Sequence, residues 1–462
     1  MNILLKGGTV VSGKSAKKQD VLICDDKIQK VAKKIENADA EVIDCKGKLL
    51  FPGFIDAHTH FDLEVSNTVT ADDFSSGSKS AIKGGTTTVI DFATQNKGET
   101  LQQALNNWHI KAFAKTSCDY AFHMAISDWN ENTKEELRSM FEQGVSSFKL
   151  YMTYPAMMLS DKEIFEVLCK LKELGGIVGV HCENSGIIDA LVNEKKSQGK
   201  LSVSSHYKSR PDTAESEAIN RLLSIAKVVD VPVVVVHLSS KAGFEEIKRA
   251  RKNGQKVIVE TCPQYLLLDD SKYELDFETA SKFVCSPPIR KQEDMKCLWE
   301  ALKNGDIDTI STDHCSFTKA QKSVGVDDFT KVPNGMPGVE TRGTLIYTYG
   351  VKKGRITLPQ MCKYLSENPA KLYGLYPKKG VISEGSDADI VIYNPKKETV
   401  ITAKDTFSAC DYAPFEGVKT QGEIEKVFLR GNEVYSNGKM VKENIGRFIS
   451  REKACCNLDN SK

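Results

Sequence analysis

Apolar and polar positions divide the chain into three stretches of different texture. Near the start, short apolar runs at 3–6, 9–11, 20–23 and 41–44 are separated by the turn signals Gly7-Gly8 and Asp25-Asp26, a pattern typical of β-strands. A similar texture returns late in the chain, where 388–393 alternates and 426–429 precedes a turn at 430–432. The two ends therefore predict one small β-rich domain, built from 1–51 and 378–440, with a tail at 441–462.

Between these ends, short apolar runs alternate with longer amphipathic segments, which indicates repeated βα units. In 161–174, apolar residues recur at helical spacing: Ile164, Val167, Leu168 and Leu171. Eight apolar runs occur, at 53–60, 86–92, 120–126, 146–152, 176–183, 231–238, 256–263 and 308–315. This order predicts an α/β fold, a (β/α)8 barrel over 52–377. An open doubly wound sheet is the alternative, but no G-x-G-x-x-G motif supports it.

Composition and charge argue against several classes of protein, among them nucleic-acid-binding, membrane and secreted proteins. The 63 basic and 62 acidic residues give a net charge of +1, and a short basic cluster at 248–252 fits a solvated helix end, so we expect no nucleic-acid partner. No apolar run reaches the ~20 residues of a membrane helix, and no signal-peptide pattern opens the chain. Thirteen cysteines without a C-x-x-C pair predict reduced thiols in a cytoplasmic protein.

Candidate metal ligands stand at the ends of the predicted strands. His58 and His60 end the first strand, His181 the fifth, His237 the sixth and Asp313 the eighth. Because barrel strands point their carboxyl ends toward one face, we expect these side chains to converge there. Imidazole and carboxylate ligands favour zinc, and also manganese, iron or cobalt. The other four histidines, His109, His123, His206 and His314, are not assigned as ligands.

Lys149 lies inside the fourth predicted strand, among these candidates. A lysine ammonium there would be repelled by metal ions, and burial also disfavours its charged form. A neutral lysine can react with carbon dioxide to form a carbamate, an anion whose two oxygens can bridge two metal ions. We therefore predict two divalent metal ions, zinc first among them, bridged by a carbon dioxide-derived carbamate on Lys149.

With these residues assembled, the chain resembles the cyclic amidohydrolases, and within them the dihydropyrimidinase and D-hydantoinase family. The resemblance covers nearly the whole chain. The motifs that carry it are Gly53-Phe54-Ile55-Asp56-Ala57-His58-Thr59-His60, Gly84-Gly85-Thr86-Thr87-Thr88, Ser147-Phe148-Lys149, His181-Cys182-Glu183-Asn184, Val236-His237-Leu238-Ser239, Glu260-Thr261-Cys262-Pro263, Ser286-Pro287-Pro288, Thr312-Asp313-His314 and Asn334-Gly335-Met336-Pro337-Gly338. Each motif alone is weak, but together they are highly specific.

The resemblance implies a ligand set and a substrate site. One zinc ion would be held by His58, His60, Asp313 and the carboxylated Lys149, and the second by His181, His237 and the other carbamate oxygen. Tyr154, Ser286 and Asn334 would contact a cyclic diamide, the last two partly through backbone groups. Read alone, Ser286-Pro287 and Asn334-Gly335 are ordinary turns and Tyr154 is a packing aromatic. The resemblance also implies a β-sandwich end domain and a homotetramer, to which the tail could contribute a subunit contact.

The implied activity is hydrolytic ring opening of 5,6-dihydropyrimidines or 5-substituted hydantoins to N-carbamoyl amino acids. A metal-activated water would attack the ring carbonyl. Asp313 would take the proton of that water and deliver it to the departing ring nitrogen. Tyr154 would stabilise the developing oxyanion together with one metal ion.

One loop departs from the family pattern and bears on the substrate. Thr153 and Pro155 flank Tyr154, where many relatives have alanine and lysine. The apolar residues that follow, Ala156, Met157 and Met158, favour larger or aromatic 5-substituents, as in the phenylhydantoinase branch.

Three alternatives to this function remain open. Allantoinases and dihydroorotases also open rings. Dihydroorotases usually carry an arginine just past the His-x-His motif, whereas residues 61–63 of this chain include no basic side chain. Collapsin-response-mediator proteins are non-catalytic scaffolds of this fold, and the six filled ligand positions argue against that class. A deaminase on the same barrel is disfavoured by Lys149.

Overall fold

The computed structural model describes residues 2–455 and residue 458. The described chain opens with the strands β1 (Asn2–Val11), β2 (Ala16–Cys24), β3 (Lys27–Ala32), β4 (Glu41–Asp44) and β5 (Leu49–Pro52). Strand β1 pairs antiparallel with β2 and parallel with β4 and β5. The turn predicted at Gly7-Gly8 is wrong: both glycines lie within one long strand, and the register shift between Leu5 and Gly8 places a bulge at Lys6-Gly7.

The barrel strands fall on the eight predicted apolar runs. They are β6 (Phe54–Thr59), β9 (Thr86–Thr94), β10 (Asp119–Ala125), β11 (Ser147–Tyr151), β12 (Ile177–His181), β13 (Val233–Val235), β14 (Val257–Thr261) and β15 (Thr309–Ile310), with a short hairpin, β7 (Glu64–Val65) and β8 (Thr68–Val69), after β6. Neighbouring strands are parallel. A parallel bridge between Thr59 and His314 joins the first strand to the segment after the last. The predicted (β/α)8 barrel is confirmed.

Helices connect the strands and cover the barrel. The α-helices of the described chain are α1 (Phe74–Lys83), α2 (Leu101–Ala112), α3 (Glu131–Glu142), α4 (Asp161–Leu174), α5 (Ser185–Ser197), α6 (Ser204–Lys208), α7 (Asp212–Val229), α8 (Lys241–Lys252), α9 (Pro263–Leu267), α10 (Phe277–Ala280), α11 (Gln292–Asn304), α12 (Lys319–Ser323), α13 (Arg342–Ile346), α14 (Leu358–Cys362) and α15 (Asn368–Leu372). The helix predicted over 161–174 is confirmed as α4, whose buried residues are the four predicted apolar ones. A capping box formed by Ser160 and Glu163 fixes its start, and Gly175, in the left-handed conformation, ends it. Among the described residues, no helix combines the length and apolarity that a membrane crossing requires.

The late strands return to the first sheet, as predicted. They are β16 (Ile390–Val400), β17 (Lys419–Leu429), β18 (Asn432–Ser436) and β19 (Lys439–Met440). Strand β16 pairs antiparallel with β5, so both chain ends form one mixed sheet. Its own apolar core combines side chains from the two ends, among them Leu5, Val21, Ile390 and Phe428. The second β-rich domain is therefore confirmed, while its boundaries at 51 and 378 stay predictions.

A buried ionic cluster joins this sheet to the barrel. The ammonium of Lys379 lies 2.8 Å from Asp119, at the start of β10, and 2.6 Å from Asp389 and 3.3 Å from Asp387 beside β16. Arg430 forms a second ion pair with Asp119. Because all these groups are buried, the lysine and arginine offset charges that would otherwise be costly.

The described part of the tail lies against the chain's own barrel. The N–H of Gly446 donates to Thr116, and the N–H of Ile449 donates to Tyr120, both at 2.8 Å. The Arg451 guanidinium donates to Ser147 Oγ at 2.7 Å. Residues 456, 457 and 459–462 of the predicted tail lie outside the described residues, and its subunit contact stays a prediction.

Candidate active site

The structure brings the six predicted metal ligands together at the carboxyl ends of five barrel strands. His58 and His60 lie at the end of β6, Lys149 on β11, His181 at the end of β12, His237 after β13 and Asp313 after β15. The Nε2 atoms of His58 and His60 each lie 3.2 Å from Oδ1 of Asp313. The ring of His237 lies 5.3 Å from that of His58 and 4.6 Å from that of His181. The four imidazoles and the carboxylate therefore form one continuous cluster.

The donor atoms of this cluster fit a divalent cation. Nδ1 of His60 and Nδ1 of His237 are buried and have no hydrogen-bond partner among the described residues, although buried polar atoms are normally paired. Burial lowers the pKa of His60 to about 4 and that of His237 well below its usual value. Both rings are therefore neutral near pH 7, and neutral imidazole is the form that binds metal.

Lys149 lies in surroundings that favour a neutral amine. Its side chain is 1% exposed, and its Nζ lies 5.3 Å from the ring centre of Phe92 and 5.2 Å from that of Tyr151. Within the described chain, its amine makes neither a hydrogen bond nor an ion pair. Burial lowers the pKa of Lys149 to about 8. The amine is thus more easily deprotonated than a solvated lysine, as carbamate formation requires.

Two buried glutamates orient the imidazoles, and sequence reasoning did not assign them a role. Glu260, on β14, places Oε1 2.7 Å from Nδ1 of His58. Glu183 places Oε2 2.7 Å from Nε2 of His181 and 2.6 Å from Nη1 of Arg210. The sequence gives a weak indication of this role for Glu183, because Glu183 lies two residues after His181 and residues two apart in an extended segment point to the same side. Glu260 carries no local signal, since 202 residues separate it from His58.

The three predicted substrate contacts lie beside this cluster or on adjoining loops. The Tyr154 ring centre lies 5.3 Å from that of His181 and 5.7 Å from Cζ of Arg210. Burial raises the pKa of the Tyr154 phenol to about 12, although the Arg210 charge opposes this. Ser286 is buried, and its hydroxyl interacts with that of Tyr154, which slightly lowers the Tyr154 pKa. Asn334 is half-buried on the next loop, and the N–H of Gly335 donates to Val284 at 2.9 Å. The Ser286 and Asn334 segments are therefore in contact.

Three residues of the site adopt left-handed backbone conformations. The φ angles are 68° at Tyr154, 39° at His237 and 52° at Asp313. Residues other than glycine rarely adopt this region, and each instance costs on the order of 1–3 kcal/mol. The surrounding barrel therefore holds these backbones in place, and such strain concentrates at functional sites.

The histidines that were not assigned as ligands have protein partners. His314 lies 3.0 Å from Asp72 through Nε2 and accepts the N–H of Gly338 at 3.1 Å through Nδ1. His123 contacts Ser147 Oγ at 2.6 Å and the Ala57 carbonyl at 3.0 Å. His206 donates to the Cys285 carbonyl at 2.8 Å, and the ring of His109 packs against Phe122 and Phe448.

The fold and this cluster together define a (β/α)8 barrel with a candidate divalent-metal site at the carboxyl ends of its strands. The family model described as the amidohydrolase family matches residues 49–434. The chain belongs to the amidohydrolase family.

Similar proteins match almost the entire chain. A D-hydantoinase of Geobacillus stearothermophilus is 43% identical, over 98% of this chain and 97% of its own length. A D-phenylhydantoinase of Escherichia coli strain SE11 is 39% identical, over 98% of each chain. The crystal structure of a dihydropyrimidinase from Brevibacillus agri NCHU1002 superposes with a TM-score of 0.97 at 40% identity, covering 98% of this chain and 100% of the other.

Proposed function

We propose that this chain is a cyclic amide hydrolase that opens 5,6-dihydropyrimidines, 5-substituted hydantoins or both to N-carbamoyl amino acids. The observation that carries this proposal is the convergence of four imidazoles, Asp313 and Lys149 at one end of the barrel. Its similarity to D-hydantoinases and to a dihydropyrimidinase over nearly the full length supports the same reaction class.

The proposed cofactor is a pair of divalent metal ions, zinc first among the candidates. His58, His60 and Asp313 would hold one ion, His181 and His237 the other, and a carbamate on Lys149 would bridge them. Within the part of the chain that the structure describes, Nδ1 of His60 and Nδ1 of His237 have no hydrogen-bond partner, and the buried Lys149 amine has no ion pair, which supports this ligand set. When bound, such ions lower the pKa of water toward about 7 and polarise a carbonyl.

Asp313 is the proposed proton carrier. Burial raises the pKa of its carboxyl, but the charges and hydrogen bonds of His58 and His60 outweigh this and hold the pKa well below its usual value. The group is therefore a carboxylate that can accept the proton of the attacking water. It would then deliver that proton to the ring nitrogen as the amide C–N bond breaks, acting first as base and then as acid.

Tyr154 and the two neighbouring loops would recognise the ring. The raised pKa of Tyr154, about 12, keeps its hydroxyl protonated and able to donate to the oxyanion of the tetrahedral intermediate. The Ser286 and Asn334 segments would bind the –CO–NH–CO– edge, and the position of the buried Ser286 hydroxyl beside Tyr154 supports a contact there.

The loop after Tyr154 supports a substrate with an apolar 5-substituent. The N–H groups of Met157 and Met158 both donate to the Tyr154 carbonyl at 2.8 Å, which folds the loop into a tight turn. Met158 is exposed and lies four residues after Tyr154 in this loop, which supports an apolar contact with a ring substituent. Arg210, the cation beside Tyr154, is already ion-paired with Glu183, which weakens the case for a carboxylated substrate such as dihydroorotate.

The deciding experiment is turnover by the purified, zinc-loaded protein. Dihydrouracil and D,L-5-phenylhydantoin are incubated separately, and N-carbamoyl product is measured, with an EDTA-stripped sample as control. We expect product from at least one substrate and none after metal removal, with 5-phenylhydantoin the faster. If two bound metal ions are verified and neither ring opens, the proposed substrate class is wrong.

The homotetramer and the cytoplasmic location stay predictions. Light scattering of the purified protein tests the homotetramer.

A further inference from the structure

A buried lysine outside the metal cluster makes an unusual set of contacts. Lys322, on helix α12, is fully buried, and its ammonium donates to the carbonyls of Val284 at 3.0 Å, Pro333 at 2.6 Å and Gly335 at 2.8 Å. These three bonds use all three of its N–H donors. No described carboxylate forms an ion pair with it.

Burial of the Lys322 ammonium is unfavourable in free energy if the side chain serves only to fill the core. Burying a cation without a counter-charge costs free energy that hydrogen bonds to neutral carbonyls only partly offset. Burial accordingly lowers the pKa of Lys322 to about 8. An apolar side chain of similar volume would avoid this cost, so the contacts themselves need an explanation.

The three carbonyls belong to the two loops proposed to bind the ring. Val284 precedes Ser286 by two residues, and Pro333 and Gly335 flank Asn334. Gly335 has a φ of +148°, and a Cβ there would lie 2.3 Å from the Cys315 carbonyl oxygen, so this loop has no room to shift toward Cys315. One ammonium thus joins both loops where their backbones already meet.

We infer that Lys322 is a positioning residue that fixes the distance between the Ser286 and Asn334 backbones and thereby governs recognition of the substrate ring. This inference rests on the proposed function, because that function gives the two loops their role. Lys322 makes no hydrogen bond to any of the six proposed metal ligands, so its loss should affect substrate binding more than the metal centre.

The kinetic test compares Lys322→Met with Lys319→Met, which changes an exposed lysine on the same helix. In Lys322→Met we expect KM to rise about tenfold or more while kcat stays within about threefold, the signature of lost substrate binding. Lys322→Gln, which retains two N–H donors on a shorter side chain, should give an intermediate KM. Zinc content should equal that of the wild type in all variants. A wild-type KM in Lys322→Met, or parallel loss of zinc and kcat, overturns the inference.

Hydrogen exchange tests the same inference without substrate. The amides of Gly335 and Cys315, which donate to Val284 and Met336, should exchange faster in Lys322→Met, while those of β6 keep their wild-type rates. Unchanged exchange at both amides, or an equal increase throughout the barrel, contradicts the inference. If Lys322→Met does not fold, Lys322→Gln is measured in the same way. Should the wild type open neither ring, the proposed function fails, while the exchange pattern still decides whether Lys322 positions the loops.

Discussion

Oε1 of Glu260 lies 2.7 Å from Nδ1 of His58 and accepts the backbone N–H of His237 at 3.1 Å. One buried carboxylate therefore fixes two proposed ligands that arise from different strands. A carboxylate behind a metal-binding imidazole sets its tautomer and raises its basicity. Its position directs Nε2 of His58 toward Asp313.

Replacing this carboxylate should weaken metal binding without removing a proposed ligand. For Glu260→Gln we expect zinc affinity to fall about 10–100-fold, because the amide cannot provide the same charge to His58. Competition with a chromophoric chelator measures the affinity. Glu300→Gln, at an exposed position on α11, is the control. Wild-type affinity in Glu260→Gln would show that Glu260 serves packing alone.

Carbamate formation on Lys149 should depend on pH during reconstitution. Only the neutral amine reacts with carbon dioxide, and burial lowers its pKa to about 8. The neutral fraction therefore rises about tenfold per pH unit below that value and levels off above it, rather than above about 10.4 for a solvated lysine. Metal-free protein is incubated with zinc at pH 6.5, 7.5 and 8.5, with bicarbonate adjusted so that dissolved carbon dioxide is the same at each pH, and activity is then assayed at one pH.

We expect faster activation at the higher pH values, and an added dependence on bicarbonate. In Lys149→Ala, bicarbonate should have no effect at any pH. Activation of the wild type that is indifferent to bicarbonate would mean that the lysine acts without a carbamate.

Removing the proton-accepting oxygen of Asp313 should slow the reaction even with metal bound. Asp313→Asn retains an oxygen ligand but cannot accept the proton, so kcat should fall about 10²–10⁴-fold. Asp313→Ala should likewise leave little activity. Zinc content is measured on the same samples, and Asp189→Asn, exposed on α5, is the control. Near-wild-type turnover in Asp313→Asn would exclude it as the proton carrier.

Tyr154→Phe tests the oxyanion contact. Loss of one such donor costs about 2.7–4 kcal/mol, or 10²–10³-fold in rate. Because burial raises the pKa of Tyr154 to about 12, the wild-type hydroxyl stays protonated between pH 6 and 10, and the ratio of wild-type to variant rates should be constant over that range. Tyr376→Phe, at an exposed tyrosine, is the control. A ratio that approaches unity by pH 9 would mean that the phenol ionises earlier than its burial indicates.

The ionic cluster between the two domains gives a prediction for stability. Lys379→Met leaves the buried carboxylates of Asp119 and Asp389 without their main cation, which should lower the free energy of unfolding by about 3–5 kcal/mol. Urea denaturation measures this, with the exposed Lys353→Met as control. An unchanged midpoint would mean that Arg430 alone neutralises the cluster.

The barrel could be predicted because its strands are buried on both faces and appear as apolar runs, and the cluster because strand ends in a barrel share one face. The bulge at Gly7 could not be predicted, because a Gly-Gly pair is also typical of turns. The roles of Glu260 and Lys322 depend on contacts with residues far away in the sequence, and no local pattern encodes such contacts. The role of Lys149 could be predicted only in part. A lysine in a strand has no specific meaning by itself, and it indicates a carbamate only because the other proposed ligands lie at the ends of neighbouring strands.

The pairing of β5 with β16 has a consequence for synthesis of the chain. A ribosome releases β5 more than three hundred residues before β16, so during most of translation one edge of the first sheet has no partner. Exposed strand edges readily pair with other chains. Crowded polysomes should therefore be the setting in which this protein aggregates most readily, and slower initiation or a holding chaperone should raise the yield of folded enzyme.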